Sequence, residues 1–183
     1  MKRLLIVLAA VVTTLAGVVL AAPTASAMTP YCGIVWGSLN KAAGDLSPAP
    51  VVNVRAGQHP CFDRLVVDLA GSGGGYRVGY TSAVVQDGSG QIVPLRGGAF
   101  LSVVVLDPAN DINTGEPTYT PARPTELVDV SGYRTFRQIV YAGSFEGQTT
   151  VGLGVRARLP FRVFVLAGPG TNSRLVIDVA HKW

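Results

Sequence analysis

Between Val51 and Val179 the chain repeats one pattern: a short run rich in Val, Ile, Leu, Phe or Tyr, then a cluster of Gly, Pro, Asn or Asp. That rhythm predicts antiparallel strands joined by tight turns. Strands are expected near Val51–Arg55, Phe62–Leu69, Arg77–Ala83, Gln91–Leu95, Phe100–Leu106, Leu127–Val130, Phe136–Ala142, Gln148–Ala157, Phe161–Leu166 and Arg174–Val179. Thr149 to Val155 and Phe161 to Val165 alternate, one face larger and more apolar than the other, as a half-buried strand requires. Asp87-Gly88-Ser89-Gly90 supplies the positive φ of a hairpin, and Gly71 to Gly75 reads as a flexible bend.

Helical spacing is scarce. Val35 to Leu46 predicts one short helix around Ser38 to Ala43, stopped by Gly44. Pro108 to Pro124 contains four prolines, which cannot donate ladder hydrogen bonds, and reads as a surface loop. The expected fold is therefore all-β, an antiparallel β-sandwich with one short N-terminal helix. Its length suits a single domain.

The N-terminus follows a different rule. Lys2 and Arg3 precede an uncharged run from Leu4 to Ala27 that ends Ala25-Ser26-Ala27, the pattern of a secretory signal peptide cleaved after Ala27. The same run, if retained, is long enough to anchor the chain in a membrane; membrane contact is expected only in that case. Three segments follow: a signal peptide over 1–27, a tied N-terminal segment over 28–50 and a β-sandwich over 51–183. Loss of Lys2 and Arg3 lowers the formal charge from +4 to +2. The remaining basic residues are scattered, which argues against a nucleic-acid partner.

The two cysteines, Cys32 and Cys61, both lie in the exported part. In an oxidising compartment an even count favours a disulfide, which would tie the N-terminal segment to the sandwich. His59, Cys61 and Asp63 alternate, so on an extended strand all three would face one way and could hold a transition metal. A disulfide removes the thiolate from that set; no metal or other cofactor is expected.

One six-residue pattern occurs twice, as Arg64-Leu65-Val66-Val67-Asp68-Leu69 and Arg174-Leu175-Val176-Ile177-Asp178-Val179. Paired as neighbours, two such strands could match Arg with Asp; two ordinary strands of similar composition explain the repeat as well. The second copy, preceded by Phe161 to Leu166 and a Gly-Pro turn, resembles the last strands of the AMIN domain, a β-sandwich of bacterial envelope proteins. With Arg55 to His59, Phe62 to Val66 and Gly143 to Gly147, the chain more closely resembles the AMIN-like family of exported actinobacterial proteins. That resemblance implies a β-sandwich at the cell envelope, with peptidoglycan or an envelope protein as partner.

Candidate chemistry is sparse. His59 with Asp63 could form an acid–base pair at the centre of a small exported hydrolase or metal-dependent enzyme. No Gly-x-Ser-x-Gly elbow or His-Glu-x-x-His motif supplies a nucleophile or a metal site, so a structural histidine at a turn is the competing account. Arg64, Arg174 and Asp178, with Asp63, could form an anion or glycan contact or simple cross-strand ion pairs. His59, Asp63, Arg64, Arg174 and Asp178 are thus the candidate binding residues. The expected function is a secreted, non-enzymatic envelope domain. Tyr76, Tyr80, Tyr119, Tyr133 and Tyr141 could stack on sugar rings if they cluster outside.

Overall fold

The computed structural model describes residues 30–183, and the expected signal segment lies outside them. After a 3-10 turn at Tyr31–Gly33 come β1 (Lys41–Ala43), β2 (Val51–Gln58), β3 (Phe62–Leu69), β4 (Tyr76–Thr81), β5 (Val84–Val85), β6 (Ile92–Val93), β7 (Ala99–Val105), β8 (Phe136–Phe145), β9 (Gln148–Val155), β10 (Phe161–Ala167) and β11 (Ser173–Ala180). One sheet runs β1-β4-β7-β9-β8, a second runs β10-β11-β3-β2, and β5 and β6 form a small ribbon. Every pairing is antiparallel.

The sandwich follows from alternation. Leu65, Val67 and Leu69 of β3, with Leu175, Ile177 and Val179 of β11, face Leu101, Val103 and Val105 of β7 and Val151, Leu153 and Val155 of β9, all buried in one core. Burial of such side chains contributes about 1.5 to 3 kcal/mol each. The opposite face of β9 carries Gly152 and Gly154, because the ribbon and the segment after it lie directly on that face. A Cβ at Gly152 would sit 2.8 Å from a Val140 methyl and 3.2 Å from a Val84 methyl, and one at Gly154 would meet the Arg96 carbonyl. The outer side of the five-stranded sheet is therefore closed where β9 runs.

Two expectations fail. Residues Ser38 to Ala43 form no helix: Val35 and Leu39 are 84% and 78% exposed, so no apolar stripe exists to bury, and Lys41 to Ala43 pair with β4 instead. Leu127 to Val130 form no strand, since a turn closed by Glu126 N–H to Arg123 O leaves Leu127 N–H to Ile139 O as their link to β8; Leu127 and Val128 pack on the core from the rim. The proline-rich loop is pinned to β2, where Val51 N–H donates to Pro108 O and Thr118 Oγ1 to Val51 O.

The glycine run is a packed cradle. A Cβ on Gly73 would collide with the Asp107 carboxylate, and one on Gly75 with the Asp45 carbonyl. Asp107, fully buried, accepts from Ser47 Oγ (2.5 Å) and Gly74 N–H (2.9 Å). Burial raises its pKa above 3.8, and these two bonds only partly oppose the shift. A carboxyl that binds its proton more tightly when folded gives stability that is full below the unfolded pKa and is lost as pH rises through the folded one. Asp107→Asn is therefore expected to gain stability relative to the native protein as pH rises through that window. Urea melts of both proteins at a series of pH values check this; a constant difference would contradict it.

Candidate functional site

The β2–β3 connection places the first candidates. His59 N–H donates to Phe62 O (2.9 Å), and Pro60 and Cys61 form the hairpin connection between them. His59, Cys61 and Asp63 therefore do not share one extended run. The His59 ring stacks on Phe62 at 4.5 Å between centroids, while Asp63 points inward beside Leu65 and is fully buried.

The imidazole partner of Asp63 is His181, not His59. Asp63 Oδ1 lies 3.0 Å from His181 Nε2, and Oδ2 accepts the backbone N–H groups of Thr135 (2.6 Å) and Phe136 (3.0 Å). His181 is held at its main chain, its N–H donating to Cys61 O and its carbonyl accepting from Arg156. It is 8% exposed, and its Nδ1 has no partner among the described residues. His59, His181, Gln58, Pro60 and Arg134 line a shallow cleft of about 260 Å³. Asp63 is thus a structural clamp that joins the start of β3, the start of β8 and the end of β11.

The cysteines form a disulfide, Cys32–Cys61. Among the described residues no cysteine is free, and no group of three or more metal-ligating side chains converges. The disulfide lays the N-terminal arm along the second sheet. Gly37 bridges to Phe161, and the Trp36 ring sits 6.0 Å from that of Phe62.

The repeated strands are neighbours. β3 and β11 pair in a register that sets Arg64 opposite Asp178, Val66 opposite Val176 and Asp68 opposite Arg174, a local two-fold arrangement. Only one of the two pairs closes. Arg64 Nε and Nη2 bind the two oxygens of Asp178 at 2.6 and 2.9 Å, and Arg162 of β10 reaches the same carboxylate at 2.8 Å. Asp178 is buried beneath two guanidinium groups, which leaves the trio with one surplus positive charge. At the other end Asp68 is taken by Arg55 (2.9 Å) and Asn53 (3.1 Å). Arg174 makes one long bond, 3.4 Å to Ala167 O, and its buried Nε has no partner among the described residues.

Sequence reasoning missed the rings on this face. Arg162 lies over Trp36, Phe62 and Phe164 at 5.6, 5.3 and 5.1 Å, and Arg64 over Phe62 and Phe164 at 5.1 and 5.6 Å. Such contacts orient guanidinium groups flat on a ring. The tyrosines, in contrast, are spent on packing: Tyr80 donates to Leu159 O (2.6 Å), and Tyr119 meets Tyr141 edge-on at 5.7 Å. Burial, with the neighbouring Tyr141 second, pushes the Tyr119 hydroxyl up to about 12.

These features define a small two-layer β-sandwich with a disulfide-held arm and one sheet face lined by arginines and rings. The family model of the AMIN-like domain matches residues 49–181, and the chain belongs to that family. No curated protein and no solved structure matches it. AMIN-like domains are generally non-catalytic and envelope-related. The disulfide fits an extracytoplasmic setting, and among the described residues no helix is long and apolar enough to cross a membrane.

Proposed function

We propose that this protein is an exported envelope module, freed by cleavage after Ala27, that binds cell-wall polymer on the outer face of the β10-β11-β3-β2 sheet and catalyses nothing. The observation that carries this reading is the row of Trp36, Phe164, Arg162 and Arg64, ending in Arg174, which has no carboxylate partner among the described residues. Flat rings suit sugar faces, and a guanidinium with no carboxylate partner among the described residues suits the carboxylates or phosphates that wall polymers carry. Of the candidate residues, Arg174 meets the ligand, Arg64 and Asp178 hold the face in shape, and His59 and Asp63 stand at the hairpin end.

Co-sedimentation with purified peptidoglycan tests the proposal. The native protein is expected in the pellet, more weakly as salt rises. Arg174→Gln should lower the pelleted fraction several-fold with an unchanged melting temperature, because the side chain holds one long bond. A native protein that stays wholly in the supernatant at low salt would sink wall binding.

A further inference from the structure

Each large sheet has two edges, and an exposed edge strand is a template for another chain unless something blunts it. Three are blunted. β1 has three residues and carries Lys41. β8 is interrupted by two register shifts, and the rim loop covers it through Leu127 N–H to Ile139 O and Tyr141 N–H to Pro124 O. β2 contains a bulge between Val51 and Asn53 and carries Arg55, and its first residue is bonded to the loop.

β10 is the exception. Phe161 N–H donates outward to Gly37 O (2.8 Å), which sets the phase of the strand: Phe161, Val163, Val165 and Ala167 turn their main-chain groups away from β11. The arm covers Phe161 only. Among the described residues the N–H and C=O groups of Val163 and Val165 have no partner. Val163 to Ala167 contains no charge, proline or glycine, and Val165 and Leu166 are 41% and 37% exposed.

We infer that β10 pairs with β10 of a second copy, antiparallel about Val165, so that two four-stranded sheets join into one. The stretch is complementary to itself in that register. Val165 lies opposite Val165, Val163 opposite Ala167 and Phe164 opposite Leu166, an aromatic–aliphatic pair of the kind that stabilises sheets. Arg162 falls opposite Gly168, so no like charges meet. The residues whose main-chain groups face outward are the ones this register aligns as hydrogen-bonded pairs, adding about six bonds. The ring-bearing faces of the two copies then lie side by side, which doubles the surface offered to a repetitive polymer. The pairing does not depend on polymer binding.

Sedimentation velocity of the protein purified from a secreting host, from low to high micromolar, tests this together with amide hydrogen exchange. The mass is expected to double with concentration, with slowed exchange at Val163 and Val165. Val165→Lys places like charges opposite each other and should raise the dimer dissociation constant by more than about ten-fold. Its melting temperature in dilute solution should fall by no more than a few degrees, since the side chain is 41% exposed and its covered part rests on the Gly74 backbone. Val165→Pro, which removes an outward N–H, is the second variant and should act in the same direction. A constant monomer mass, a dimer unaffected by Val165→Lys, or protection confined to other strands would overturn the inference. Protection of Val163 and Val165 only on adding envelope extract would also overturn it, assigning the edge to a foreign segment.

Discussion

Asp63→Ala is expected to destabilise the protein by about 3 to 5 kcal/mol, because it leaves buried donors without an acceptor. The Thr135 and Phe136 amides and His181 Nε2 all converge on that carboxylate, which is fully buried. For a domain of this size such a loss lowers the melting temperature by roughly 10 °C. Asp63→Asn retains a carbonyl for the two amides and offers an N–H to His181 in its other tautomer, so it should recover a large part of the loss. Thermal melts of the two variants and of His181→Ala decide the matter. A cost below about 1 kcal/mol for Asp63→Ala would mean that the donors find other partners and that the clamp is not what joins β3, β8 and β11.

Opening the disulfide has the second large effect. Cys32 and Cys61 are separated by 29 residues, and closure of a loop of that length is worth roughly 3 to 4 kcal/mol through the unfolded chain. The folded state loses something besides. The arm carries Trp36 onto Phe62 and Arg162, brings Gly37 to Phe161 and sets the Tyr31 ring under Lys182. The Cys32→Ser/Cys61→Ser double variant should therefore melt lower and also pellet less with peptidoglycan than its melting temperature alone explains. Equal melting of the reduced and oxidised protein would refute the first claim, and unchanged sedimentation at a temperature where both are folded would refute the second.

Where one face of a strand is buried, the sequence was transparent. Leu65, Val67 and Leu69 can only be the core side of β3, and the same reasoning places Leu175, Ile177 and Val179. What alternation does not carry is partnership between distant strands. That the two Arg–Asp repeats would be neighbours, and that only one end would close, depends on Arg55 and Asn53 of β2 reaching Asp68 first. His181 lies 118 residues from Asp63, beyond the reach of any local pattern, although two signals in the sequence point to it. Asp63 occupies the apolar phase of its strand and so needed a buried donor, and the chain has just two histidines. The helix expected at Ser38 to Ala43 does not form because no surface is there to bury its spacing, while the edge of β4 offers the backbone bonds that Lys41 to Ala43 take.

The glycines of β9 have an effect on how the molecule can be presented. Because the ribbon meets Gly152 and the segment after it meets Gly154, the sandwich is sealed behind β9, and the arginine side is a front. A label or bead attached within the Gln86 to Gln91 hairpin points away from the front. Protein immobilised there should capture polymer as well as free protein does, whereas attachment through Arg174→Cys should mask it.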